Sequence, residues 1–464
     1  MACAHRPTDG FYSEPLADRA VLGIVVSGAD SASVAIGDQL RAIEEWRVET
    51  DTGRDAASGG GTYWQTDGAV LRTVDDLHLE CEGIAAAFDA PDLIAFVSRH
   101  SGETGPLLSA HFTGNPGPAE FGGTAGRLAT AAPGAVERAL SALDDAAPPA
   151  YDVSMECTHH GPSTVGAPSL FVELGSEEAQ WRDEAGARAV AKATLALRGC
   201  QPRPARTVAV LGGGHYAPRA TRILRETDWY VGHVAADWAL DAAADGEEPI
   251  PASVLRQLFE RSGATMAVVD GDRPALERAV ERAGYRVVSE TWLRATAGVP
   301  ADRVTQLEAA LSPVEAGLRF GEHAGTAAGW TLTTLPEELL AACHGADRSR
   351  TVALVAQHTV AYETQEAGNR VTGPIALAPD ESRYEALIDD FASLLAEHHD
   401  EARREQEAIV IKDTEFDPEA AKAKGVPEGP AFGRLAAGED VTVDGTVVES
   451  DSVQIERTRR LPIS

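Results

Sequence analysis

Short apolar runs that end in glycine or a polar group, each followed by a stretch with helical spacing, recur through roughly the first 300 residues. VLGIVVSG (21–28) reads as a strand before a helix near 33–46, and residues 48–68 read as a loop or hairpin. PDLIAFVSRH (91–100) and APSLFVELG (167–175) read as strands, and PGAVERALSALDDA (133–146) as a helix. The spacing predicts one long helix over 176–199, with Ser176 as a partial N-cap. ARTVAVLGGG (205–214) is a strand running into glycines, and Pro218 opens the next helix. The alternation continues through WYVGHVA, SVLRQLFERSG, ATMAVVDG, RPALERAVERAG and YRVVSE. Strands that alternate with helices pair in parallel, so residues 1–300 predict an α/β domain with a mostly parallel sheet. Beyond 300 the texture changes. TVALVAQ (351–357) predicts a strand and ESRYEALIDDFASLLAEHH (381–399) a helix. EDVTVDGTVV and DSVQIERTRRL read as hairpin-like runs, so 301–464 is an appended C-terminal α+β region.

Composition narrows the class. Apolar residues make up 44% and charged ones 24%, enough to bury a core. No run of apolar residues is long enough to span a bilayer, so a membrane partner is not expected. The first 20 residues lack a basic-then-apolar leader, which points to the cytoplasm. Acidic residues number 72 against 40 basic ones, for a net charge of −32. Only Lys192, Lys412, Lys422 and Lys424 are lysines. A dispersed acidic surface nearly devoid of lysine suits a cytosol of multimolar salt, where the Debye length falls to about 3 Å and self-repulsion costs little. Acidity that reflects the solvent does not exclude RNA. Cys3, Cys81, Cys157, Cys200 and Cys343 are scattered and form no CxxC, so neither a disulfide framework nor a zinc ribbon is predicted.

Chemistry concentrates on histidine. His100, His111, His159, His160, His215 and His233 each lie beside a glycine, a turn or the polar end of an apolar run. Ligand crevices of open α/β sheets form at the carboxyl ends of strands, so these side chains are expected to share a site. Neutral imidazoles beside a carboxylate bind zinc, and His111, His159, His160, His215, Glu156 and Glu173 are the candidates. Without a metal the same imidazoles suit general base chemistry near neutral pH. In a strand His159 and His160 would face opposite ways; Gly161 and Pro162 predict a turn that lets both face one cavity.

Two further features point to an anion. VAVLGGGHYAPRATRIL places Gly212, Gly213 and Gly214 before a helix N-terminus, a corner suited to phosphate. It matches neither GxGxxG nor a P-loop. Arg219, Arg222 and Arg225 follow at spacing three, a stripe that would neutralise successive phosphates or, equally, an ordinary helix face with pairs such as Arg222 with Glu226. In HFTGNPGP (111–118), Thr113 and Asn115 are candidates to hydrogen-bond a substrate carbonyl or ribose.

LIAFVSRHSG (93–102), HFTGNPG (111–117), MECTHHGPS with APSLFVELGSEEAQW (155–181), GGGHYAPRAT (212–221) and VGHVA (231–235) resemble, in that order, the D-aminoacyl-tRNA deacylase family of archaea and plants. The resemblance implies hydrolysis of the ester that links a D-amino acid to the terminal adenosine of tRNA. It also implies a Zn2+ requirement, a monomer, and a core like that of peptidyl-tRNA hydrolase and phosphorylase folds. On that basis residues 1–300 form the deacylase domain and 301–464 an extension of unassigned role. His159, His160, His215 and Glu156 are the expected catalytic residues, and His159, His160, His215 and Glu173 the expected metal ligands. His100, His111, Thr113, Asn115, Gly161, Pro162, the three glycines, Arg219 and Arg222 are expected to bind substrate, with Gly161 and Pro162 walling off L-esters. After VGHVA the family's proline and lysine are here Ala236 and Asp237, and its tryptophan-lysine-glycine turn is Asp270-Gly271-Asp272. In the extension, GVPEGPAFGRLAAGEDVTVDG (425–445) resembles a tail segment of the tRNA 3′-processing endonucleases of the metallo-β-lactamase class, but no HxHxDH motif occurs. Other readings open at this point are a hydrolase or phosphorylase of a small nucleoside or peptide, and a tRNA-binding protein without activity.

Overall fold

The computed structural model describes residues 21–244, 246 and 248–464; the N-terminal segment read for a leader, with Cys3, lies outside the described residues. The chain divides into two compact units between Arg294 and Ala295.

The first unit opens with the strands β1 (Leu22–Ser27), β2 (Arg47–Asp51), β3 (Gly61–Thr66), β4 (Ala69–Val74), β5 (Leu93–Arg99) and β6 (Leu107–His111). A short ribbon, β7 (Gly114–Asn115) with β8 (Arg127–Leu128), precedes β9 (Asp152–Met155) and β10 (Ser169–Gly175). Eight of these strands form one sheet in the order β2-β3-β4-β1-β5-β10-β6-β9. Its centre, β4-β1-β5-β10, is parallel throughout, while β6 pairs with β10 antiparallel. All six residues of β1 are buried, as a strand covered on both faces requires. The helices α1 (Ser31–Ile43), α2 (Pro133–Ala146), α3 (Glu178–Trp181) and α4 (Glu184–Leu195) pack on strands of this sheet, and α4 packs against both α1 and α2.

A second sheet comprises β11 (Thr207–Gly212), β12 (Tyr230–Ala235), β13 (Met266–Asp270) and β14 (Arg286–Val287), parallel in the order β12-β11-β13-β14. It alternates with α5 (Pro218–Glu226), α6 (Asp237–Ala243), α7 (Ala252–Glu260) and α8 (Pro274–Arg282). Its core gathers Leu211, Leu258, Phe259 and Val280.

The second unit holds an antiparallel sheet of β15 (Leu318–Phe320), β16 (Thr331–Thr334), β17 (Ala361–Gln365) and β18 (Arg370–Leu377). Three strands, β19 (Glu401–Arg404), β20 (Ala408–Phe416) and β23 (Gln454–Pro462), form another sheet, and β21 (Val441–Val443) pairs with β22 (Thr446–Val448) as a hairpin. No described helix is long and apolar enough to cross a membrane.

Three local expectations need correction. The helix expected over 176–199 is broken: α3 starts at a capping box between Glu177 and Gln180 rather than at Ser176. Asp183 then caps α4 through Ala185 N, and its other oxygen accepts from Tyr151 Oη at 2.8 Å. The strand expected over 351–357 is a helix, Arg348–His358. Asp347 caps it at Arg350 N, and Thr351 and Val355, four apart, are its buried residues. A seven-residue apolar run has no length to separate strand from helix, and the cap decided. The run DSVQIERTRRL contributes one long strand, β23, whose partner is β20.

Candidate active site

The segment after β9 leaves the regular sheet and runs between the two sheets of the first unit. Glu156 N donates to Ala110 O at 3.1 Å, Cys157 N to His215 O at 2.8 Å, and Thr158 N to Val234 O at 2.9 Å. Gly114 N donates to His160 O at 2.7 Å. Irregular backbone held at each step in this way lets consecutive side chains face one hollow. His159 and His160 do so, with ring centroids 4.5 Å apart.

Three other strand ends deliver the remaining imidazoles. His111 ends β6 and stacks on Phe171 of β10 at 5.1 Å. His100 follows β5; Gly175 lacks a Cβ that would meet His100 Cβ at 2.6 Å. His215 follows the glycine corner after β11, its ring 4.5 Å from that of His159. His111 lies 4.5 Å from His159 and 4.7 Å from His160. These five border, or lie directly behind, a cavity of about 400 Å³ that Leu77, His78, Phe121 and Phe171 also line.

Two buried carboxylates organise the cluster. Glu156 Oε2 lies 2.7 Å from His215 Nε2, and its Oε1 lies 3.2 Å from His100 Nδ1 without good hydrogen-bond alignment. Glu173 accepts from Ser98 Oγ at 2.7 Å and lies 3.6 Å from His100 Nδ1, 3.3 Å from His111 Nε2 and 3.8 Å from His160 Nε2. Burial opposes the charge of His100, yet Glu156 and Glu173 outweigh it and raise its pKa to about 10. Burial would raise Glu156, but His100 and His215 hold it well below the usual carboxylate range. Glu173 is likewise held low, against its burial, by His111 and His100. His159 goes the other way: burial and its neighbours His160 and His111 keep it neutral.

The donor set fits zinc. Nδ1 of His111, His159 and His160 lies 3.0, 2.8 and 2.9 Å from the carbonyls of Phe112, Cys157 and Gly161. A ring whose Nδ1–H is tied to a carbonyl turns the lone pair of Nε2 outward, as metal-binding histidines do. The buried His111 Nε2 has no hydrogen-bond partner, and one donor atom from each of these three rings lies within 4.8 Å of the others. The second trio within that distance is Cys157, His159 and His215, and the third His100, Glu156 and Glu173.

Several expected site residues lie elsewhere. His233 is a satisfied core histidine, bonded to Thr158 Oγ1 at 2.9 Å and Ala129 O at 3.0 Å. Thr113 is buried against Ser169 Oγ at 2.8 Å, and Asn115 holds Gly122 O at 2.9 Å. Gly161 and Pro162 stand behind the doublet, against Gly122 and Gly123, and do not line the cavity. The glycine corner holds the chain's own acids: Gly213 N donates to Asp237 Oδ1 at 3.1 Å, and a Cβ on Gly212 would meet Asp270 O at 2.4 Å. What the corner does is turn His215 into the cavity. The arginine stripe is also engaged. Arg219 meets Asp270 at 3.2 Å, Arg222 grips Glu290 with bonds of 2.7 and 2.6 Å, and Arg225 grips Asp144 with bonds of 3.0 and 2.7 Å.

The cavity also has walls that the motif reading passed over. His78 follows β4 and Asp30 follows β1, both strand ends of the kind used to choose the other residues. Burial keeps His78 neutral, with a pKa of about 4. Asp30 spends its carboxylate on Ala32 N, Ser33 N and Arg99 N.

Comparison with known proteins bears on this site. Residues 87–288, which include the whole histidine cluster, match the family model D-aminoacyl-tRNA deacylase. The D-aminoacyl-tRNA deacylase of Natronomonas pharaonis is 48% identical over 441 residues, 95% of this chain and 99% of its own. That of Halobacterium salinarum is 49% identical over 447 residues, 96% of each chain. That of Methanoregula boonei is 32% identical, over 83% of this chain and 88% of its own. Matches of that length reach far into the second unit, so residues beyond 300 are common to these relatives rather than foreign to the family. Among solved structures, a conserved protein of unknown function, AF0625, is 28% identical with a TM-score of 0.53, covering 59% of this chain and 97% of its own.

Proposed function

The chain belongs to the D-aminoacyl-tRNA deacylase family, and from that premise we propose that the histidine–carboxylate cavity is where it hydrolyses the ester of D-aminoacyl-tRNA, releasing a free D-amino acid and tRNA. The supporting observation is the gathering of five imidazoles from four strand ends around two buried carboxylates beside one cavity.

Ester hydrolysis needs a proton taken from water and one returned to the ribose oxygen. His215 is placed for both. Glu156 holds one ring nitrogen at 2.7 Å, and the ring is partly exposed to the cavity. Glu156 thereby fixes the tautomer and steadies the imidazolium that forms. His100, kept charged by its two carboxylates, orients them and places fixed positive potential beside the site where the carbonyl oxygen gains charge. His111, His159 and His160, with Glu173 beside them, would hold Zn2+, and a zinc ion there supplies Lewis-acid polarisation and acidifies bound water. This set replaces His215 of the expected ligands by His111, because Glu156 already engages His215. Phe171 and Leu77 line the cavity with apolar surface that excludes water around the amino-acid side chain.

The sheet that carries the site is of the peptidyl-tRNA hydrolase and phosphorylase kind, with a parallel centre and reactive groups at its carboxyl ends. The protein works in a salt-rich cytoplasm, as its lysine-poor acidic composition supports, and as a monomer, as its family resemblance implies. The test is release of D-tyrosine from D-tyrosyl-tRNA in multimolar KCl, with L-tyrosyl-tRNA as control. Turnover of the D-ester alone is expected. A protein that leaves the D-ester intact, or cleaves both hands equally, overturns the proposal.

A further inference from the structure

Among the described residues the most exposed large aromatic side chains are Phe121 and Trp238, and Phe121 lies at this site. Phe121 is 59% exposed and lines the mouth of the cavity; Trp238 is 42% exposed. Trp238 follows Asp237, whose Oδ1 accepts from Gly213 N at 3.1 Å in the corner that leads to His215. Phe121 does not ride on a slack loop. Its carbonyl accepts from Gly161 N at 3.1 Å, Asn115 Nδ2 holds Gly122 O at 2.9 Å, and Thr124 N donates to Ser163 Oγ at 2.9 Å. Gly122 and Gly123 take φ of 68° and 75°, and a Cβ on Gly123 would meet Ser163 Oγ at 2.5 Å. A tightly anchored backbone thus presents an apolar ring to water, at a rim shared with the reacting histidines.

One arginine, Arg99, lines the cavity, and its guanidinium lies over the Trp181 ring at 5.3 Å. The arginines beside the glycine corner already hold Asp270, Glu290 and Asp144, and multimolar salt screens what charge remains. Stacking of a base on an aromatic face does not depend on charge and survives salt. We infer that Phe121 is the platform on which the terminal adenine of the acceptor end stacks, so that the ester's nucleoside is read by its base face rather than by its phosphates. The inference rests on the deacylase reading of the same cavity.

Three D-tyrosine esters separate the possibilities: D-tyrosyl-tRNA, the adenosine ester and the ethyl ester, which has no base. Phe121→Ala is expected to raise KM for the first two roughly tenfold, with kcat within about twofold, and the rise persists in multimolar KCl. KM for the ethyl ester is expected to stay unchanged. Phe121→Tyr, which keeps a ring, restores KM, whereas Phe121→Leu, which keeps apolar bulk without a π face, does not. Equilibrium dialysis of adenosine reads the same contact without turnover: the unsubstituted protein binds it, and Phe121→Ala binds it roughly tenfold more weakly. Equal KM for the adenosine ester with and without the ring overturns the inference, as does an equal rise for the ethyl ester, which would make Phe121 a wall for the amino acid. Either result leaves deacylation intact. Absence of D-ester turnover altogether would instead sink the deacylase reading, and adenosine binding would still test the platform.

Discussion

Histidines in the two units live differently. In the first, His100, His111, His159, His160 and His215 touch one another or share Glu156 and Glu173, whose side chains are 0% and 3% exposed. In the second, each described histidine has one partner: His358 meets Asp390 and His399 meets Asp413, acids 39% and 23% exposed, while His344 and His398 bond backbone carbonyls and His323 meets Arg383. Every compact trio of possible metal donors among the described residues lies in the first unit. A histidine with a single, partly exposed acid partner makes a local contact of modest worth to stability. Histidines that share buried carboxylates hold one another in fixed charge states, and only such a set can divide the work of binding, polarising and moving protons.

The sharpest way to break this contrast is to remove one ring from each unit. His215→Ala is expected to lower kcat for D-tyrosyl-tRNA by on the order of 10²–10⁴, and His399→Ala to leave it within about twofold. Zinc content after dialysis adds a reading independent of turnover. The proposed zinc site predicts that His111→Ala and His159→Ala retain less zinc than the unsubstituted protein, and that His399→Ala retains as much. Equal losses in the two units would erase the distinction.

Buried and exposed carboxylates come next. Glu156→Gln leaves the charged His100 and the ring of His215 without their shared partner, at a cost of about 3–5 kcal/mol in unfolding free energy. Asp413→Asn, at a more exposed pair, should cost no more than about 1 kcal/mol. Denaturant unfolding in KCl measures both, and similar costs would mean that the first pair is wetter than the structure has it.

Acid provides a third comparison. Burial lowers His233 from its ordinary pKa of 6.5 to about 4, so the folded protein binds fewer protons there than the unfolded chain. Its contribution is full above pH 6.5, declines as pH falls towards 4 and is spent below that, on the order of 3 kcal/mol in all. His233→Gln should flatten unfolding free energy over that window; an unchanged slope would contradict a neutral buried ring. Smallest of all is Arg222→Ala. Its bidentate partner Glu290 lies on the protein itself, so tRNA affinity should change by less than about threefold, and stability should barely move.

Much of this architecture was legible in the residues. Strands and helices of the first unit follow local periodicity, and the helix Pro133–Ala146 has the bounds its sequence predicts. Periodicity misled where a capping aspartate decided the outcome, at Asp183 inside one expected helix and at Asp347 just before one expected strand. The rule that ligands gather at strand ends singled out His100, His111, His215 and the doublet, and applied to β1 and β4 it would have added Asp30 and His78.

The chain alone therefore determines the alternation of elements, the acidic lysine-poor surface and the family, because each is a property of neighbouring residues or of a linear pattern. Tertiary structure alone decides which side chains meet. His233 and His215 look alike in sequence, yet one fills the core and the other faces the cavity. Arg219, Arg222 and Arg225 read as a phosphate stripe until folding brings Asp270, Glu290 and Asp144 to them from far along the chain. A charge state, a lone pair turned outward or a ring left bare at a rim depends on distances of a few ångströms between residues remote in sequence, and only packing sets those distances.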